Sequence, residues 1–195
     1  MPPLSELRER TRVYHQRLEA SVDVMSPALT RSRYLILLKS FYGFYLPLEA
    51  WLTARVEWLD AGLDFRRREK LPRLRQDFAA LGLDDAQVEA IPICPASALP
   101  AVDTFEEALG CAYVLEGATL GGQHISRHLH GLFAMDEQSG SAFFRSYGIE
   151  VGPMWKSFVA VLNENSVEEG RREQIIVSAC NTFQALHRWL GPEGG

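Results

Sequence analysis

A histidine near the start of the chain, His15, and three closely spaced glycines far along it, Gly117, Gly121 and Gly122, are the residues whose types and spacing point to chemistry. His15 stands alone in its segment, and one histidine cannot build a structural zinc site, which takes four protein ligands. A single imidazole does suffice as the axial ligand of a haem, where the porphyrin supplies the equatorial donors. The plainer alternative is a boundary histidine making one hydrogen bond. The glycines sit in an otherwise apolar run, G-C-A-Y-V-L-E-G-A-T-L-G-G-Q-H-I-S-R, over residues 110–127. Each costs a helix interior about 0.5–1 kcal/mol relative to alanine. Gly117 and Gly121 are an i, i+4 pair on one face, with Gly122 beside Gly121. Spacing leaves two explanations open. One is close helix–helix packing. The other is a helix that presses bare backbone onto a planar ligand, flexes at the glycines and leaves a tight pocket for a small gas molecule.

Other reactive-looking groups carry less. His124 and His128 are spaced i, i+4, with His130 nearby, but Ile125, Ser126 and Arg127 between them make no H-E-x-x-H zinc pattern, which leaves solvated or supporting histidines. The basic run R-R-R-E-K-L-P-R-L-R, residues 66–75, reads as a solvated face, with docking of an acidic redox protein as its functional alternative. Cys94, Cys111 and Cys180 are dispersed without metal or redox spacing, which fits a reducing compartment. No serine–histidine–acid arrangement, phosphate loop or nucleotide motif is apparent.

The elements that must hold these residues are all helical. A first helix over residues 4–20 carries Leu4, Leu7, Thr11, Tyr14, His15 and Leu18 on one face, while Arg8, Arg10, Arg12 and Arg17 lie mostly elsewhere. A second starts at Thr30 with a stripe of Tyr34, Leu37, Leu38, Phe41, Tyr45 and Leu48. Pro47 is expected to kink or divide it, and the pattern resumes through Trp51, Leu52, Val56 and Leu59 as far as Gly62. Short helices over residues 72–81 and 84–90 precede a proline-rich loop, residues 91–102. Thr104 and Glu107 form a capping box for a long helix, residues 104–132, that contains the glycines. The chain breaks at residues 148–153, Pro153 opens a helix to residue 163, and a last helix spans residues 167–190. Nothing reads as a strand, so the expected fold class is all-α, one helical domain over residues 1–195.

Composition sets the outer limits. With 195 residues, 47% hydrophobic and 23% charged, the chain can bury a substantial core. A net charge of −5 argues against a nucleic-acid binder. No apolar run is long enough for a membrane span, and residues 1–10 lack a signal-peptide core, so a cytoplasmic protein is expected. A monomer is the default.

Three segments carry a resemblance to a known family. L-R-E-R-T-R-V-Y-H-Q-R-L-E, residues 7–19, resembles the opening of haem oxygenases. F-Y-G-F-Y-L-P-L-E, residues 41–49, resembles their aromatic helix, and Y-V-L-E-G-A-T-L-G-G-Q, residues 113–123, their distal helix, particularly in bacterial members. The three occur in the family's order and near its spacing. The resemblance implies a helical fold with haem between a proximal helix and a kinked, glycine-rich distal one. It implies oxidative opening of haem, both substrate and cofactor, to biliverdin with release of carbon monoxide and ferrous iron. Dioxygen and a separate electron donor, a ferredoxin or an NAD(P)H-dependent reductase, would take part, and a phytochrome-type photoreceptor is one acceptor of the product. His15 becomes the proximal iron ligand, with Glu19 one turn away to influence its orientation. The backbone at Gly117, Gly121 and Gly122 becomes the catalytic distal wall. Arg8, Tyr113 and, more loosely, Lys156 match positions that hold the haem, with Arg127 a further candidate. One departure matters: many members carry aspartate immediately after the first distal glycine, and here that residue is Ala118. The distal acid is therefore unassigned, Glu116 and Arg127 being unranked candidates. The departure also keeps open a non-catalytic protein that stores, carries or senses haem on this scaffold. An unrelated activity on the similar scaffold of thiamin-degrading enzymes is a third alternative.

Overall fold

The computed structural model describes residues 3–191. Helix α1 (Pro3–Val22) is followed by α2 (Arg31–Thr53), the short α3 (Glu57–Asp60), α4 (Leu71–Ala80) and α5 (Asp85–Glu89). The long α6 (Phe105–Phe133), short α7 (Ala142–Arg145), α8 (Val151–Asn165) and α9 (Glu169–Leu190) complete the order, and no strand occurs among the described residues. The expected stripe of α2, from Tyr34 to Leu48, is buried, as are Ile175, Ile176, Ala179, Phe183, Leu186 and Leu190 of α9. The capping box of α6 forms: the Thr104 hydroxyl accepts from the Glu107 N–H at 3.2 Å, and Glu107 accepts from the Thr104 N–H at 3.0 Å. It satisfies two donors that the first helical turn leaves unpaired.

Helix α9 is the axis of the packing. It lies along α6 on one side and α1 on another, while α1 and α6 scarcely touch each other. The space they leave between them is the cavity described below. Close approach of α6 to α9 depends on Gly110, where a Cβ would come 2.3 Å from the Ile175 carbonyl oxygen. Arg10 with Glu173, and Glu6 with Arg172 at 3.2 Å, tie α1 to α9 at the surface.

Four local expectations need correction. Pro47 does not divide α2, which runs unbroken through it. A proline cannot donate to the carbonyl four residues back, and here that carbonyl, of Gly43, accepts the Cys94 N–H at 3.0 Å instead. The residue-91 loop can come that close because Gly43 lacks a Cβ, which would lie 2.2 Å from the Pro92 oxygen. Second, Val56 and Leu59 are exposed, at 69% and 70%. A turn after Thr53 breaks the helical phase and turns Trp58 inward, where its indole donates to the Leu52 carbonyl at 2.9 Å. Third, α8 begins two residues before Pro153, at Val151, which puts the proline in the first turn, where no helical N–H is needed. Fourth, α7 went unforeseen. It is fixed from outside, by Asp77 of α4 accepting the Ala142 and Phe143 N–H groups at 2.7 and 2.9 Å.

Candidate functional site

The gap between α1 and α6 is a cavity of about 860 Å³, floored by α9 and closed behind by the segment around α7. Such a volume falls within the range of small-molecule and cofactor sites. Its lining divides by burial. Arg8, Arg12, His15, Glu19, Leu120 and His124 are exposed and form the mouth. Phe41, Tyr45, Lys70, Phe143, Phe144 and Ser146 are buried and form the inner end.

His15 projects from α1 into the mouth with about half its side chain exposed, at 52%. Two neighbours set its ring. Glu19 Oε2 lies 3.4 Å from Nδ1, one helical turn on, and Phe183 of α9 meets the ring edge-to-face with centroids 5.6 Å apart. Nδ1 is thereby the nitrogen nearer the carboxylate, and Nε2 the freer of the two. Arg8 and Arg12 stand on the same helix, two turns and one turn before His15, and line the same mouth. They present guanidinium groups to any carboxylate at the rim. Arg12 was not among the sequence candidates, although its i−3 spacing from His15 places it on that face.

On the opposite wall α6 contributes Tyr113, Gly117, Ala118 and Gly121. A Cβ at Gly121 would meet nothing within 4 Å, and one at Gly117 would come only to 4.0 Å from the Trp155 ring. Both therefore offer bare backbone to open space. Thr119 bonds back to the Glu116 carbonyl at 2.7 Å, a contact that loosens and bends helices. Tyr113 is buried, with its phenol pushed up by burial.

Gly122 does not belong to this wall. A Cβ there would lie 2.0 Å from the Phe144 carbonyl oxygen, so Gly122 faces α7 and permits contact instead of leaving space. Lys156 is exposed and does not line the cavity; its neighbour Trp155 does. Arg127 is also off the lining, and donates to His124 Nδ1 at 3.0 Å. The three clustered histidines diverge: His128 Nε2 is 3.1 Å from the Ser26 carbonyl and His130 Nδ1 3.3 Å from that of Met135. No metal-holding cluster occurs among the described residues.

The basic run also departs from expectation. Arg68 and Lys70, each 3% exposed, are internal, and their partner is Glu116 of α6, 1% exposed. Arg68 pairs with one Glu116 oxygen and donates to Ser157 Oγ at 2.7 Å. Lys70 Nζ donates to the other oxygen at 2.7 Å and to Tyr147, whose hydroxyl donates to the same carboxylate at 2.6 Å. Burial pulls the Lys70 ammonium down from its usual range against the pull of Glu116, and burial with Glu116 pushes the Tyr147 phenol up. Glu49 adds a second carboxyl. It accepts the backbone N–H groups of Lys70 at 2.5 Å and Leu71 at 3.2 Å, and burial outweighs these bonds and pushes it up to about 7. The signal for this cluster was a glutamate inside an apolar helix, since a buried carboxylate demands a cation.

A family model described as "Heme oxygenase" matches residues 2–191. The chain belongs to the haem oxygenase family. It is 32% identical over 154 residues to a heme oxygenase of Xanthomonas campestris, covering 77% of this chain and 82% of that one. Among solved structures, the NO- and CO-bound heme oxygenase from Neisseria meningitidis superposes with a TM-score of 0.79 at 20% identity, over 97% of this chain and 92% of that one. Heme oxygenase-1 from the cyanobacterium Synechocystis, in complex with heme, gives 0.78 at 16% identity, over 97% and 91%. The heme oxygenase from Leptospira interrogans gives 0.74 at 19% identity, over 97% and 98%. The all-α haem oxygenase fold is thus shared at identities where only architecture survives, and the chain is an enzyme of this family. No described helix is long and apolar enough to cross a membrane.

Proposed function

We propose that this haem oxygenase binds haem between α1 and α6 and opens it to biliverdin with release of carbon monoxide and ferrous iron. The observation that carries the reading is the cavity itself, with one oriented imidazole on one wall and bare glycine backbone on the other. The donor set fits the ligand: His15 for the metal, Arg8 and Arg12 for carboxylates at the rim, and an aromatic inner end for the macrocycle. Haem supplies the metal and the ring on which dioxygen is activated. Glu19 and Phe183 flank the His15 ring and would leave Nε2 available to the iron. Gly117 and Gly121 keep side chains out of the α6 wall and would leave room there for a small molecule beside a bound macrocycle. Tyr45, Phe143 and Phe144 give the inner end a largely apolar lining for the macrocycle.

Electrons come from a separate donor, a ferredoxin or an NAD(P)H-dependent reductase, acting on a monomeric, cytoplasmic enzyme. Biliverdin supply to a phytochrome-type photoreceptor is one use consistent with this chemistry. Single-turnover spectroscopy tests the reading. Haemin is added, then a reductase system or ascorbate under oxygen. Loss of the Soret band with growth of a verdin absorption is expected. A stable complex that never yields verdin would make the chain a carrier or sensor of haem instead.

A further inference from the structure

The inner end of the cavity holds a buried hydroxyl, that of Ser146, with no hydrogen-bond partner among the described residues. Ser146 follows α7 with φ 52° and ψ −120°, and Tyr147 has φ −80° and ψ 6°. These are the two corners of a type II′ turn, whose first corner favours glycine. A serine there carries backbone strain, and such strain clusters at functional sites. The residue is 4% exposed and lines the cavity, yet its buried Oγ has no hydrogen-bond partner among the described residues. The turn has no need of the hydroxyl. Its backbone N–H already donates to Ala142 at 2.9 Å, and its carbonyl accepts from Arg73 Nε at 2.7 Å. Buried hydroxyls are normally bonded, to protein or to ordered water.

The backbone that carries this hydroxyl is held from several sides. Gly122 admits the Phe144 carbonyl against α6, and Gln123 Nε2 donates to the Arg145 and Gly148 carbonyls at 3.1 and 3.4 Å. Tyr147 is anchored on Glu116. Two other polar residues of the lining are already committed. Lys70 Nζ gives its protons to Glu116, Tyr147 and the Arg68 carbonyl, and Thr119 bonds back to Glu116. Ala118, on the facing wall, has no polar side chain.

We propose that the Ser146 hydroxyl anchors a water molecule at the inner end of the cavity. That water passes a proton toward the reacting oxygen and regains one from solvent. Ser146 is then a positioning residue, acting through the water it holds. The proposal rests on the haem-cleaving reading above, but its test separates the two. Ser146→Ala and Ser146→Gly both remove the hydroxyl, and only the glycine also relieves the strained φ. In wild type, the C–O stretch of the ferrous carbon monoxide complex is expected to differ between H₂O and D₂O. Both variants are expected to lose that difference with haem affinity unchanged. The rate of verdin formation is expected to fall about tenfold in both, the scale of one lost hydrogen bond. Ser146→Gly should unfold at or above the wild-type temperature. Retention of the solvent-sensitive stretch in both variants would overturn the proposal. So would a rate loss in the alanine variant alone, which would trace the effect to the backbone. If wild type yields no verdin, the enzymatic reading fails while the stretch still decides whether Ser146 holds a water.

Discussion

Two pairs of glycines on α6 do opposite things. Gly110 and Gly122 stand where another element's backbone presses in, 2.3 and 2.0 Å from where a Cβ would be. Gly117 and Gly121, between them in sequence, stand where nothing or only the edge of Trp155 comes within 4.0 Å. One pair lets α9 and the α7 segment touch the helix. The other keeps the cavity wall bare. A missing side chain can thus serve contact or space, and only the partner across from it says which.

The difference can be broken by adding the same methyl group at each site. Gly110→Ala and Gly122→Ala should each lower the unfolding free energy by about 3 kcal/mol, the upper end for overpacking, because the opposing atoms are backbone and cannot swing away. Denaturant melts of the ligand-free protein would read this. A loss below about 1 kcal/mol at either site would erase the distinction.

The contact side also carries a pH signature. Burial pushes the Asp77 carboxyl up to about 6, against the Ala142 and Phe143 N–H bonds that favour its charged form. The folded chain therefore keeps that proton where the unfolded chain, near 3.8, has released it. Its contribution is fully present below about pH 4 and is lost as pH rises through about 6, by at most about 3 kcal/mol. Asp77→Asn should flatten that part of the stability profile, measured by urea unfolding from pH 4 to 7. An unchanged slope would contradict the assignment.

The smallest effect has the opposite sign. Gly117→Ala and Gly121→Ala should stabilise the ligand-free chain by about 0.5–1 kcal/mol, the ordinary helix preference for alanine. Both should nonetheless weaken haem binding or slow verdin formation. That combination, firmer fold and poorer function, is what a wall kept bare for a ligand requires.

Much of this was legible from residue order, because helical periodicity and the capping box at Thr104 act locally. The stripes of α2 and α9 and the facing of His15 follow from 3.6-residue spacing alone. What escaped depends on partners distant in sequence. Pro47 is harmless because Cys94 takes the carbonyl it frees. Arg68 and Lys70 lie inside because Glu116, far along the chain, needs them there. Gly122 looks identical to Gly121 until Phe144 is placed against it, and α7 depends on a carboxylate from α4. Ser146 gave no local sign at all, since a type II′ corner is written for glycine.

The central claim is that α1 and α6 clamp a haem whose iron is held by His15. The most direct test is resonance Raman spectroscopy of the ferrous haem complex of wild type and His15→Ala. The account predicts an iron–imidazole stretch in wild type, its loss in the variant, and its return when free imidazole is added to fill the vacated volume. An iron–imidazole stretch that survives the substitution without added imidazole would place the ligand elsewhere and contradict the account.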